Sequence, residues 1–242
     1  MAIDYQPIYL LGSGMLLQDR RLSVATNNMS NMNTYAFKKD ILVASSWYVD
    51  NGVRIDNSSA ENPSNNFVYP IVGNIHIDIT QGSLIQTNNK LDFAIEGEGF
   101  FVVTDGREIL YTRKGNFKVD GEGYLVTDLG YRVLTEDGKY IKVTDSMEID
   151  RKGYIYHEGE IVGRLGIVNL ENLVKLGEGM FGGNPVPADG YNVYQGFLEA
   201  SNVDAFKEMV NIIEITRAHE VYSRLIQSFD LIQSKVSRGF RA

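Results

Sequence analysis

The chain has 242 residues, 43% hydrophobic and 22% charged, which is enough for one large domain or two small ones with a substantial buried core. Its net charge of −8 argues against nucleic acid or an anionic membrane as the main partner. The sequence contains no cysteine, which excludes disulfides, thiolate metal sites and cysteine nucleophiles, and no apolar run approaches the ~20 residues of a membrane span.

The first predicted element is an amphipathic helix over residues 8–32. Its apolar residues recur at steps of three and four, which places them on one face of a helix. The members of this face are Ile8, Leu11, Met15, Leu22, Ala25, Met29 and Met32. Gln18 is the single polar interruption. The stretch lacks the basic start and the small-residue cleavage site of a secretory signal peptide, so we expect no use of the general secretory route.

An asparagine-rich segment, NNMSNMNTYAFKK at residues 27–39, follows this face. Asparagine competes with the backbone for hydrogen bonds, so the segment predicts a helix end and a turn. Residues 40–70 are predicted to be extended or irregular. Within them, NSSAENPSNN at 57–66 has the composition of a surface loop.

Residues 71–195 predict an antiparallel β domain. Glycines recur at short intervals between strand-like runs such as FFVVTDG and FKVDGEG. Asp-Gly pairs at 105–106, 120–121 and 137–138 separate such runs, and this dipeptide suits the positive-φ positions of hairpin turns. One segment, LENLVKLG at 170–177, has a helix-like pattern and is the possible exception.

The last predicted element is a helix of about 36 residues, which at ~1.5 Å per residue would be roughly 55 Å long. The stretch from Ser201 to Phe240 contains no proline, and its only glycine is Gly239. Ser201 and Asn202 are the candidate N-caps. The apolar stripe begins with Val203, Phe206, Val210 and Ile213. It then shifts phase and continues as Ile215, Ala218, Tyr222, Leu225, Phe229, Ile232 and Val236.

Two amphipathic helices at opposite ends of the chain predict an antiparallel pair that brackets everything between them. The predicted fold class is α+β, with a discontinuous helical coiled-coil domain from both termini and a central antiparallel all-β domain. The predicted divisions are an N-terminal helix at 1–35, a connector at 36–70, the β domain at 71–195 and a C-terminal helix at 196–242. Separate packing of each helix on the central domain, or a helical bundle, is the alternative.

The sequence contains only weak motifs for metal binding, cofactor binding or catalysis. His76, His157 and His219 are dispersed without ligand spacing, so no metal site is predicted. Residues 177–182 match GxGxxG, but Pro185 prevents the helix that a dinucleotide site needs, so no cofactor is predicted. Glu96 and Glu98 could form a carboxylate pair in a glycan-hydrolysing or glycan-binding cell-wall protein. Because they lie two residues apart on a strand rather than across a cleft, a solvated strand end is the favoured explanation.

Several segments resemble one family. NNMSNMNTYAFK (27–38) looks like the N-terminal signature of the bacterial flagellar rod and hook proteins. LDFAIEGEGFFVV (91–103), YTRKGNF (111–117) and GYLVTDLGYRVL (123–134) are similar to the family's β core, and QGFLEASNV (195–203) with the helix after it resembles its C-terminal signature. One departure is Ala36, where the family usually has glycine, so a positive φ there would be strained.

The resemblance implies a structural, non-enzymatic subunit of the flagellar basal-body rod, which polymerises through its terminal helices into a periplasm-spanning drive shaft for motility. It implies export by the flagellar type III apparatus and partners that are copies of the chain and other rod proteins, with no nucleic acid or small-molecule substrate. The short length and the compact segment RVLTEDGKYIKV resemble the proximal rod type more than the distal type, and the distal type stays open.

The resemblance and the seam pattern together select candidate assembly residues. Asn28, Asn31 and Asn33 suit unpaired backbone groups at a helix end, Thr34 can act in the same way, and Phe37 offers an apolar anchor. A solvated turn is the alternative for this segment. The full set is Asn27, Asn28, Asn31, Asn33, Thr34, Phe37, Gly196, Leu198, Glu199, Ser201, Asn202, Val203, Tyr222, Leu225 and Phe229.

Overall fold

The computed structural model of the chain describes residues 6–49, 67–144 and 146–239. Contacts divide the chain into two compact units. A helical unit combines the segments Met1–Ser30, Asp40–Asp78 and Asp204–Ala242, and a β unit combines Asn31–Lys39 with Ile79–Val203. Two helices and a large antiparallel β region confirm the predicted α+β class.

The helical unit contains both terminal helices, α1 (Gln6–Ser30) and α2 (Ala205–Gly239). They contact each other and run antiparallel, since Gly14 lies against Tyr222 while Asp19 lies against His219, whose Nε2 is 3.2 Å from the Asp19 Oδ1. A Cβ at Gly14 would lie 2.6 Å from the Tyr222 ring, so only glycine admits this contact. The close contact with Tyr222 therefore favours glycine at this position, although glycine lowers the helix propensity of the segment.

The start of α2 differs from the prediction. Asp204, and neither Ser201 nor Asn202, caps the helix, because its Oδ1 accepts hydrogen bonds from the backbone N–H groups of Phe206 at 3.1 Å and Lys207 at 3.2 Å. The Asn202 side chain is engaged elsewhere, with its Oδ1 accepting from the Lys39 N–H. The helix thus begins two to three residues later than the candidate caps Ser201 and Asn202 suggest.

The predicted connector is largely sheet. Strands β1 (Asp40–Val49) and β2 (Phe67–Ile77) form an antiparallel pair with Asp40 opposite Ile77, and both contact α1 within the helical unit. The sequence predicted extended or irregular chain over 40–70 but did not predict that these two segments pair as strands. Their β-branched and aromatic residues are typical of strands, but an Asn/Ser-rich stretch between them obscured the pattern. The loop predicted at 57–66 lies outside the described residues.

The β unit confirms the predicted antiparallel domain. Its strands are β3 (Leu84–Gln86), β4 (Phe93–Glu96), β5 (Phe100–Thr104), β6 (Ile109–Thr112), β7 (Lys118–Val119), β8 (Leu125–Val126), β9 (Arg132–Val133), β10 (Met147–Ile149), β11 (Tyr154–His157), β12 (Glu160–Arg164), β13 (Ile167–Gly177), β14 (Met180–Pro187), β15 (Asn192–Gln195) and β16 (Phe197–Glu199). A seven-stranded sheet has the order β13-β14-β6-β5-β9-β8-β7. Smaller sheets are β10-β11-β12, β15-β4 and β16-β3.

The core of this unit is aromatic and aliphatic. Phe101 and Phe117 make an edge-to-face contact at 5.2 Å between ring centroids, and Phe93 lies 6.0 Å from Phe117. Leu125 and Val133, from neighbouring strands, are fully buried beside them. Aromatic pairs of this geometry contribute about 0.5–1.5 kcal/mol beyond their buried area.

The helix suggested at 170–177 is wrong, because these residues form the second half of β13 and pair with β14. Asn172, with a φ of +53°, interrupts the alternation at an irregularity in the ladder, which made the segment resemble a helical pattern. The GxGxxG match is the turn of this hairpin, where Gly177 pairs with Met180. Strand follows it rather than helix, so it lacks the helix N-terminus that would hold a pyrophosphate.

Candidate functional site

The two family-like signatures meet within the β unit. The Ala36 N–H donates to the Glu199 carbonyl at 2.8 Å, and the Asn202 N–H donates to the Phe37 carbonyl at 3.2 Å. The Asn202 Oδ1 accepts from the Lys39 N–H at 2.8 Å. Residues 31–39 therefore lie along residues 196–203 through backbone and amide hydrogen bonds. We call this contact the junction.

A buried ionic cluster lies under the junction. The Lys38 Nζ is 2.5 Å from Glu199 Oε1, and the Arg113 Nε is 2.7 Å from Glu199 Oε2. The exposed fractions of these side chains are 1% for Lys38, 5% for Arg113 and 1% for Glu199. Lys38 and Glu199 are 161 residues apart in sequence. One carboxylate thus holds two cations from distant segments.

Backbone groups complete the cluster. The Gly82 N–H donates to Glu199 Oε1 at 2.9 Å, and the Lys38 Nζ donates to the Thr80 carbonyl at 2.8 Å. The Arg113 guanidinium donates to the carbonyls of Ile95 at 3.1 Å, Gly97 and Gly99. Because buried charges need paired and hydrogen-bonded partners, these carbonyls add to the stabilisation that Glu199 gives Arg113.

The alanine at position 36, where the resembled family usually has glycine, adopts a backbone conformation that favours glycine. Ala36 has a φ of +53° and is buried, so it occupies the left-handed region that glycine adopts without strain. A non-glycine residue there costs on the order of 1–3 kcal/mol. The hydrogen bond from the Ala36 N–H to Glu199 holds the backbone in this conformation.

The predicted asparagines divide between the two units. In the helical unit, buried Asn28 makes a reciprocal pair with the backbone of Asp40, donating to its carbonyl and accepting from its N–H, each at 2.9 Å. Asn27 donates to the Asp40 carboxylate at 3.3 Å. In the β unit, the Asn31 side chain accepts from the Thr34 hydroxyl at 3.2 Å, whereas Asn33 is exposed. Asn28 is therefore the asparagine with the strongest structural role.

The remaining motif residues shape the junction. Phe37 is buried, and the Lys175 Nζ lies 4.0 Å from its ring centroid. Gly196 has a φ of +80°, and its N–H donates to the Asp92 carbonyl at 2.7 Å. Leu198 is buried, and the Ser201 hydroxyl accepts from the N–H of half-buried Val203 at 3.2 Å. All of these motif residues lie in the two segments of the junction, although the hydrogen bond of the Gly196 N–H goes to Asp92, outside them.

In the helical unit, α2 is apolar on two sides. Ile215 is 2% exposed, and Tyr222 and Phe229 are half-buried on the same side, which faces α1. The predicted shift of phase after Ile213 separates exposed Phe206, Val210 and Ile213 from buried Ile215, whereas Leu225, which the pattern placed with Ile215, is 46% exposed. We call the exposed apolar residues of α2 the outward face: Phe206, Met209, Val210, Ile213, Val221, Leu225, Leu231 and Ile232.

Sequence reasoning missed the ionic cluster. Lys38 and Arg113 both stand inside family-like segments, yet neither was assigned a role, and Glu199 was selected only as a motif residue. The available signal was a cation inside AFKK and another inside YTRKG, each beside residues expected to be buried. Sequence alone does not indicate which carboxylate they meet.

The carboxylates considered for glycan chemistry have structural partners. The Glu96 Oε2 accepts from Asn192 Nδ2 and from the Tyr194 hydroxyl, each at 3.1 Å, and the Glu98 Oε2 accepts from Asn169 at 2.9 Å. Across residues 6–49, 67–144 and 146–239, no group of three or more histidine, aspartate or glutamate side chains could hold a metal ion. Neither described helix is long and apolar enough to span a membrane.

Comparison with known proteins identifies matches along most of the chain. Residues 8–38 match a family described as flagella basal body rod protein, residues 94–161 match the flagellar hook protein FlgE/F/G D1 domain, and residues 194–238 match the flagellar basal body rod FlgEFG protein C-terminal family. The chain is 32% identical to the flagellar basal-body rod protein FlgG of Agrobacterium fabrum, over 96% of this chain and 98% of that protein. It is 30% identical to the flagellar basal-body rod protein FlgF of Caulobacter vibrioides, over 96% of each.

Proposed function

This chain belongs to the flagellar hook and basal-body rod protein family, and from that membership we propose that it polymerises through its terminal helices into the rod. It is a structural subunit of the flagellar basal body and not an enzyme. The glycan-hydrolysing alternative receives no support from the matched families and relatives.

The outward face of α2 carries this proposal. Phe206, Met209, Val210 and Ile213 follow the i, i+3, i+4, i+7 pattern of a complete helix face, and Phe206 is 81% exposed. Farther along, Leu231 and Ile232 are about 60% exposed. A helix that is apolar on opposite sides is typical of one buried on both, so the side away from α1 is available for a neighbouring subunit.

The proposed partners are copies of this chain and other flagellar rod proteins. In a rod, the α1–α2 pair of one subunit would pack its outward face on helices of the next, in the manner of a coiled coil. We further propose that the rod formed in this way crosses the periplasm as a drive shaft for motility, and that the chain reaches it through the flagellar type III export apparatus without a cleaved signal peptide.

The proximal rod type is the form that we propose, with the distal type as the alternative. The support is the compactness of the segment at 132–143, where β9 is followed at once by a turn in which the Thr135 N–H donates to the Lys139 carbonyl at 2.8 Å. FlgG and FlgF relatives match at 32% and 30% identity, so identity does not separate the types. A density map of isolated rods that contain this subunit would assign its position.

The test of assembly is Leu225→Asp in cells that depend on this chain for their rod. We expect loss of rods and of swimming with an unchanged melting temperature of the β unit, because the substitution places a charge on the outward face. Leu225→Met is the matched control, since it changes the same position but keeps an apolar side chain of similar volume and adds no charge. Normal swimming by Leu225→Asp would contradict the proposed assembly surface.

A further inference from the structure

A cavity opens on the β unit beside the β10-β11-β12 sheet. It has a volume of about 330 Å³, at the lower end of the range for ligand pockets. Its floor is apolar and belongs to the core, with Ile141, Met147 and Ile155 each 3% exposed. Its rim includes Tyr140, 44% exposed, and Val162, 61% exposed. The cavity is thus shaped to receive apolar side chains.

The rim carries a local basic charge. Among the described residues that line the cavity, the charged side chains exposed at its mouth are Lys139, Lys142 and Asp137. On the inner wall, the Nδ1 of half-buried His157 lies 2.8 Å from the Thr144 hydroxyl. The whole chain has a net charge of −8, so two copies repel each other on average and their contacts need local complementarity. This rim favours an apolar occupant with an acidic edge.

The same chain displays such a feature at the hairpin of β13 and β14. Val174 and Leu176 point to one side of β13 and are each 56% exposed. A Cβ at Gly182 would lie 3.3 Å from Leu176, so the leucine rests on the opposite strand of the hairpin. Glu171 and Glu178 are both exposed on this hairpin. Apolar side chains with acidic neighbours thus form a projecting tip.

The opposite side of β13 is already occupied within the β unit. The Lys175 Nζ donates to the Lys38 carbonyl at 2.9 Å and lies over the Phe37 ring. The junction therefore holds the hairpin by its inner side, which leaves Val174 and Leu176 outward. None of the hairpin residues lines the cavity. The tip and the cavity are separate surfaces of one chain.

We propose that the β13–β14 hairpin tip of one copy docks into the cavity of a neighbouring copy. The proposal rests on the assembly function above and adds a second contact between subunits, made by the β units. A contact between two different surfaces of identical chains is heterologous, and repetition of it generates a ring or an open helical filament. Lys139 and Lys142 of one copy then lie near Glu178, in the hairpin turn of the next.

The absence of cysteine from the chain makes a direct test possible. Leu176→Cys and Val162→Cys chains, each with one thiol, are coexpressed in cells that build rods from them, and isolated rods are oxidised. We expect a disulfide-linked heterodimer. Ile109→Cys replaces Val162→Cys in the control, because Ile109 is 57% exposed but lies on β6, away from the cavity lining.

The outcomes separate the docking from the assembly. Rods of normal yield with no more heterodimer than the control would overturn the docking and leave assembly through the helices intact. Absence of the unmodified chain from isolated rods would overturn both.

Charge reversal provides a second test. Glu178→Lys should reduce heterodimer yield several-fold, and Lys142→Glu in the copy that carries Val162→Cys should restore it. If Lys142→Glu restores nothing, or if only substitutions in the cavity affect rod yield, the occupant is not this hairpin and the proposal fails.

Discussion

Replacement of Glu199 by glutamine tests the ionic cluster most directly. The change retains the shape of the side chain but removes the negative charge that contacts both Lys38 and Arg113. Breaking a buried ion pair by neutralising one partner costs about 3–5 kcal/mol. Two cations depend on this one carboxylate, so we expect a loss near the upper end of that range. Stabilities of whole domains are about 5–15 kcal/mol, so the β unit would be close to unfolding at room temperature.

The measurement is the free energy of unfolding of the β unit, from denaturant titrations followed by circular dichroism and by calorimetry. Lys38→Met is the matched comparison, because it leaves Glu199 paired with Arg113 and with the Gly82 N–H. We expect that variant to lose only about 1–3 kcal/mol. The double variant Lys38→Met/Glu199→Gln should lose less than the sum of the single losses, since the substituted residues are in contact. A Glu199→Gln loss equal to or smaller than that of Lys38→Met would refute the reasoning.

Three further outcomes follow from single contacts. Ala36→Gly should raise the melting temperature of the β unit and its free energy of unfolding by about 0.5–1 kcal/mol. The reason is that relief of the backbone strain at φ +53° exceeds the entropy that glycine adds to the unfolded chain. An unchanged or lower melting temperature would contradict this. Gly14→Ala should lower the stability of the α1–α2 pair by about 1–3 kcal/mol, because the added methyl group overpacks against Tyr222. Gly12→Ala is the comparison and should raise that stability by about 1 kcal/mol, because Gly12 has open space around it. Equal effects of the two substitutions on helix unfolding would count against the contact between Gly14 and Tyr222. Hydrogen bonds from the backbone N–H of Lys207 hold the pKa of Asp204 below its usual value, so its contribution to α2 should be present above about pH 4 and lost as pH falls through the lowered pKa. Asp204→Asn should remove that acid dependence from helix melting followed by circular dichroism.

Local chemistry alone determined much of the architecture. Steps of three and four residues predicted helices at both ends, and short β-type runs between glycines predicted the antiparallel sheet, because these signals depend on neighbours within a few residues. The Asp-Gly pairs predicted positive-φ turn positions, and the glycines of two of them, Gly106 and Gly138, adopt φ values of +90° and +73°. The segments around Ala36 and Glu199 could also be recognised from the sequence, because each is a short motif that resembles a family signature.

Tertiary structure decided what those elements meet. Residues 170–177 became strand because β14 pairs with them, and the apolar residues of α2 divided between two sides because α1 covers only one. A periodic pattern states which side chains are apolar but not which surface covers each of them. The junction shows the limit most clearly, since Lys38 and Glu199 meet across 161 residues. Their attraction depends on burial and on distance in space, and neither quantity is contained in the local order of residues.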